Sequence, residues 1–325
     1  MSIEHLTIEV RWTMGAVFLL LVAASVIVFV LRRLQPARDR TELARRVRTW
    51  WTIVGLFGIS LVLGQRGCLW FLAFVSFLAL KEYLSLIPTR RADRRVLFWA
   101  YLSIPIQYYW VHLHWYGMFI IFIPVYLFLF VPTRMVLAGQ TEGFLRSVGT
   151  VHWGLMTTVF SLSHAGYLLV LESVTTPRVE PAWPSPDSAA FPGPGLLVLL
   201  VLLTQLNDVA QYVWGKSFGR RKVAPQISPG KTVAGFLGGV ATTTVLAWLI
   251  GPRLTLLDST RSLFAGLIIG LSGFFGDLSI SALKRDLGVK DSGTLLPGHG
   301  GILDRVDSLT YTAPLFFHFV YYCYF

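Results

Sequence analysis

Charge is scarce in this chain, and acidic charge most of all. Of 325 residues, 17 are Asp or Glu and 28 are Lys or Arg, so charged residues make up 14%, against about 25% in soluble domains. That scarcity excludes an ordinary water-facing surface. Cysteine is nearly absent: Cys68 and Cys323 both lie in apolar runs, which rules out a disulfide framework or a thiolate metal site. The first apolar run lacks a small-residue cleavage site and leads into a basic loop, so it reads as a retained span rather than a signal peptide. An inverted repeat of the transporter kind is missing too.

What is present is apolar sequence, 54% of the chain, gathered into runs near the length of roughly 17 to 25 residues that crosses a hydrocarbon core. The expected fold is all-α, a polytopic integral membrane bundle of about ten transmembrane helices. The runs are Met14–Leu31, Trp50–Leu63, Cys68–Leu80, Val96–Val111, Trp115–Val131, Val148–Leu171, Leu196–Trp214, Val233–Ile250, Leu263–Leu283 and Leu309–Phe325. Positive charge falls in alternate loops: Arg32 to Arg48, Arg90 to Arg95, Arg134 and Arg146, Lys216 to Lys231, and Lys284 to Arg305. By the positive-inside rule those loops are cytoplasmic and both termini lie outside. The net charge of +11 therefore speaks for anionic lipid headgroups and not for nucleic acid. One long linker, "TTPRVEPAWPSPDSAAFPGPG", divides an N-terminal membrane region (1–192) from a C-terminal one (193–325). His112 and His114 stand in an outer turn without carboxylates nearby, which suits interfacial residues better than a metal pair.

Unusual polar residues concentrate after Leu206. The seventh run carries Asn207 and Asp208 inside "LLVLLTQLNDVAQYVWG", and an acid at that depth costs several kcal/mol unless paired or hydrated. It is a site candidate, with a hydrogen bond between helices as the alternative. Downstream, "SPGKT" looks like the end of a P-loop, but Pro225 occupies the position of the first glycine and no parallel-sheet pattern precedes it, so that reading is rejected. The chemistry of a phosphate site persists: Gly230 frees a turn, Lys231 brings a point charge, and Thr232 sits where a helix would begin. In the ninth run Gly270, Gly273 and Gly276 form a small-residue stripe that allows close helix approach. Asp277 lies beside it, with Ser281 and Lys284 on the same helical face. Arg285 fits a helix C-terminus equally well.

The stretch "LPGHGGILDRVDS" precedes the last run. Asp304 and Asp307, three apart, share a face in a helical turn, and few carboxylates plus water and substrate phosphate are how Mg²⁺ is usually held. Asp307 has the alternative of capping the last helix. Gly298, Gly300 and Gly301 permit either a tight re-entry turn or close approach to an anion.

The segment "SALKRDLGVKDSGTLLPGHGGILDRVDS" resembles the signature of the phosphatidate cytidylyltransferase (CDP-diacylglycerol synthase) family, and the upstream "APQISPGKT" region is similar to that family's second conserved region. The resemblance covers roughly Leu206 to Pro314. It implies transfer of a cytidylyl group from CTP to phosphatidate by a Mg²⁺-dependent, dimeric enzyme of a bacterial inner (plasma) membrane, with its site facing the cytoplasm. Asp277, Asp304, Lys284 and Arg285 would then be catalytic, with Asp277, Asp304 and Asp307 holding metal. Substrate binding would fall to Asn207, Asp208, Ser228, Gly230, Lys231, Thr232, Ser281, Lys290, Asp291, His299, Gly300 and Arg305. The chain departs from the family at one point, "GDLSIS", where Ile280 stands in place of the usual Glu. That leaves open another lipid phosphate or alcohol as acceptor, or a lipid-binding relative without turnover.

Overall fold

The computed structural model describes residues 6–34, 40–87, 94–137, 139, 142–171, 193–296, 298 and 300–325. The first half contains α1 (Ile8–Leu34), α2 (Thr41–Val62), α3 (Gly64–Leu86), α4 (Arg94–His112), α5 (Tyr116–Val136) and α6 (144–168). The second half contains α7 (Gly193–Phe218), a hairpin of β1 (Lys222–Ala224) and β2 (Ser228–Thr232), α8 (Val233–Leu254), α9 (Ser259–Asp286), the short α10 (Leu303–Val306) and α11 (Leu309–Tyr324). Helices dominate because hydrocarbon offers the backbone no partners, so each segment satisfies its own amides.

Helices stand at all ten expected positions. Six of them, α1, α3, α5, α7, α8 and α9, are long and apolar enough to cross a membrane. The other four are shorter, as α11 is, or carry charge at an end, as α2 does with Arg45, Arg46 and Arg48. Only Leu63 separates α2 from α3, and Gly64 at φ 77° makes that reversal possible because it has no Cβ to clash. Two wide π turns interrupt the helices, Phe122–Leu127 in α5 and Met156–Phe160 in α6. The first contains Pro124, which has no amide hydrogen to give to the regular ladder. The Pro-rich linker lies outside the described residues up to position 192, and its last three residues begin α7.

Glycines set the spacing of the C-terminal bundle. A Cβ on Gly235 of α8 would lie 2.6 Å from the Gln211 carbonyl of α7, and one on Gly270 of α9 would lie 3.0 Å from Val240 Cα of α8. Backbones this close gain dispersion contact that larger residues would prevent. Asn207, fully buried, pins three helices: its Nδ2 donates to Gly270 O at 3.3 Å, and its Oδ1 accepts from Thr243 Oγ1 at 3.1 Å. In the N-terminal half α3 is the hub. Its Tyr83 hydroxyl donates to Thr150 O at 2.7 Å, and Ser76 bonds Tyr108 of α4 at 2.9 Å.

Candidate active site

The β-hairpin, α7 and the end of α9 enclose a cavity of about 210 Å³. Asp208, Gln211 and Tyr212 line it from α7, Ser228, Gly230, Lys231 and Thr232 from β2, and Phe274 and Asp277 from α9. Lys231 is its centre of charge. The ammonium lies 2.7 Å from Asp277 Oδ2, donates to Gln211 Oε1 at 3.3 Å, and sits 4.6 Å over the Phe274 ring. Ser281, one turn beyond Asp277, donates to its Oδ1 at 3.1 Å. Thr232 ends β2 and caps α8, its Oγ1 accepting from Gly235 N at 3.1 Å. The cap fixes where the strand stops, so Lys231 just before it is held at the cavity wall.

A second group forms where the loop after α9 returns to α10. Asp304 accepts from Lys284 Nζ at 2.6 Å, from Ser292 N at 2.8 Å and from Gly301 N at 2.9 Å. Burial disfavours the charge on Asp304, but Lys284 and the two amides outweigh it and hold its carboxyl below the usual value, as expected for an anion that accepts several hydrogen bonds. The loop itself is closed by Leu296 N donating to Gly300 O at 2.9 Å, with Gly298 and Gly300 both at φ 79°. His299 lies outside the described residues.

Asp307 meets different partners from Asp304. Its Oδ1 accepts from Ser308 N at 2.7 Å, and the Ser308 hydroxyl reaches both oxygens of Asp208 at 3.2 Å. It does not cap α11 through an amide of the first turn. Asp277 is within electrostatic reach of both Asp208 and Asp307. The expected site residues therefore divide into two adjoining clusters, one of Asp208, Lys231, Asp277, Ser281 and Asp307, the other of Lys284 and Asp304. Arg305 follows Asp304 on α10, and its Nε is buried without a hydrogen-bond partner among the described residues. Arg285 is exposed and ties the loops together, donating to Ile227 O and Val289 O at 3.1 Å each. Lys290 and Asp291 are exposed, and Asn207 serves helix packing.

Three polar residues escaped the reading of the sequence. Gln211 orients Lys231, and its own Nε2 is buried without a partner among the described residues. Ser308 links Asp208 to Asp307. Glu82 of α3 accepts from Ser292 Oγ at 3.2 Å and Leu303 N at 2.9 Å. Gln211 and Ser308 had a signal, since both lie within the polar-enriched segments. Glu82 had little, being one charge at the end of an apolar run far from the rest in the chain.

The family model described as the cytidylyltransferase family matches residues 44–323. An uncharacterized protein of Escherichia coli, YnbB, is 47% identical over 313 residues, covering 96% of this chain and 98% of that protein. The phosphatidate cytidylyltransferase of Haemophilus influenzae is 41% identical over 132 residues, 39% of this chain and 46% of its own. That of Bacillus subtilis is 47% identical over 112 residues, 34% of this chain and 42% of its own. The chain thus spans less than half the length of these two named enzymes.

Proposed function

This chain belongs to the cytidylyltransferase family, and on that premise we propose that it transfers the cytidylyl group of CTP to phosphatidate, forming CDP-diacylglycerol and pyrophosphate. The observation that carries the proposal is the cavity whose wall combines Lys231 and Asp277 with the rings of Tyr212, Phe236 and Phe274. A lipid phosphate needs both: charge for the headgroup and apolar wall beside it. The attacking group is a phosphate oxygen of phosphatidate, already anionic near neutral pH. It forms a bond to the α-phosphorus of CTP while the bond to the β-phosphate oxygen breaks and the electron pair leaves with pyrophosphate. No general base is required, which agrees with a site built from cations and carboxylates. Lys231 and Arg305 would offset charge on the transferring phosphates, and Lys284 with Asp304 would hold α10, which carries Arg305.

Mg²⁺ fits the donor chemistry here. Asp277 presents oxygen to the cavity, and among the described residues no three His, Cys, Asp or Glu side chains are grouped to hold a metal on their own. Asp277 would hold a Mg²⁺, with Asp307 as a further candidate, while both Asp304 oxygens are already taken by Lys284 and two amides; water and substrate phosphate would supply the rest. When bound, the ion supplies charge neutralisation on the triphosphate. The site faces the cytoplasm in this reading, where CTP is found, with both termini outside.

Ile280, fully buried where the signature that the chain resembles has Glu, supports one alternative: another lipid phosphate or alcohol as acceptor. Purified protein in detergent with Mg²⁺, labelled CTP and phosphatidate tests both readings. Lipid-soluble label appearing together with pyrophosphate supports the main one. Label moving only to a different lipid favours the alternative, and phosphatidate binding without turnover would defeat both.

A further inference from the structure

Glu82 is nine-tenths buried and makes no ion pair among the described residues. A buried carboxylate is costly unless its oxygens are well used, and here one oxygen is used twice. Oε2 accepts from Ser292 Oγ, 210 positions away, and from Leu303 N, 221 positions away, while Oε1 accepts from nothing among the described residues. Ser292 is shared, since its hydroxyl goes to Glu82 and its backbone amide to Asp304. Leu303 immediately precedes Asp304. Two glycines make room for the arrangement: a Cβ on Gly301 would overlap Glu82 Oε2, and one on Gly293 would lie 3.0 Å from Oε1. Glu82 and Asp304 thus fasten the same two segments, around Ser292 and at Gly301–Leu303.

We propose that Glu82 is a positioning residue for the site, clamping the Ser292 and Leu303 segments so that Asp304 and its partner Lys284 keep their places. The kinetic part of this inference rests on the proposed cytidylyl transfer; the structural part does not. Because the clamp runs through one accepting oxygen, reach matters more than charge. Glu82→Gln keeps that oxygen and its position. Glu82→Asp is a methylene shorter and leaves both donors beyond hydrogen-bond range.

The test compares full-length wild type, E82Q, E82D and E82A in detergent by amide hydrogen exchange of residues 287–296 and 300–303, together with kcat and KM for CTP. In E82D and E82A, exchange in both segments is expected to rise about tenfold or more with α7 to α9 unchanged. In the same two variants kcat should fall on the order of 10- to 100-fold with little change in KM. E82Q should stay within about threefold of wild type in both readouts. Unchanged exchange in E82D overturns the clamp, as does an E82Q loss as large as that of E82A. If E82A does not fold, the E82Q and E82D pair decides. A wild type that transfers no label while the exchange differences persist removes the proposed reaction and leaves the clamp standing.

Discussion

Replacing one carboxylate oxygen by an amide separates two acids that look alike in the sequence. Asp304 has a side chain only 5% exposed, and Lys284 opposite is 11% exposed. Three donors converge on Asp304, namely Lys284 Nζ and the amides of Ser292 and Gly301. Asn offers a single accepting oxygen, so its NH₂ must face either Lys284 or the two amides. Breaking a buried pair from one side costs about 3–5 kcal/mol, and that is the expected loss for Asp304→Asn. Asp277 is 27% exposed and its partner Lys231 borders the cavity. With water at hand, Asp277→Asn should cost about 1 kcal/mol or less. Thermal unfolding in detergent, followed by tryptophan fluorescence, reads the difference, and labelled CTP reads turnover. Turnover should fall about 100-fold or more in Asp277→Asn without a matching loss of stability. Equal melting of the two variants would refute the account of Asp304, and near-normal turnover in Asp277→Asn would remove it from the chemistry.

Lys231→Met should lower kcat/KM for CTP by about 100-fold and also lower the melting temperature, since it keeps the bulk but leaves the Asp277 carboxylate and Gln211 without their cation. Asn207→Leu removes the side-chain bond to the Gly270 carbonyl, which keeps its bond within the helix, and takes away the acceptor of the buried Thr243 hydroxyl. It should destabilise by about 1–3 kcal/mol, measured as a lower melting temperature. Arg285→Gln loses two hydrogen bonds at an exposed position, so it is expected to raise KM more than it lowers kcat. Chelation of divalent cations should abolish transfer, and added Mg²⁺ should restore it; activity surviving exhaustive chelation would count against the metal.

Helix positions were legible because a long apolar run has one way to satisfy its backbone in lipid. The two shortest runs, Trp50–Leu63 and Cys68–Leu80, still resolved into two helices, α2 and α3, because Gly64 allows a one-residue reversal. The β-hairpin was not legible: "VAPQISPGKT" is too short and too rich in proline to show strand alternation. Asp277, Ser281 and Lys231 could be singled out from helical spacing and residue type. Their pairing could not, because Lys231 reaches Asp277 only after α7, α8 and α9 have packed. Asp304 and Asp307 share a spacing yet meet different partners, which depends on where the loop from Ser292 to Gly301 folds back. Glu82 was the least visible, since its role exists only once α3 has docked on that loop.

The glycine seam of α9 makes the site adjustable in small steps. A Cβ at Gly266 would stand 2.7 Å from Thr244 Cα, at Gly270 3.0 Å from Val240 Cα, and at Gly276 2.8 Å from Asp307 O. A methyl at each level acts as a shim of fixed thickness between rigid rods, inserted progressively nearer to Asp277. The spacing around Asp277 is therefore gauged by main chain touching main chain rather than by the choice of side-chain rotamers. A bulkier residue at any of these three points therefore moves a helix, where one at a side-chain contact moves only a rotamer.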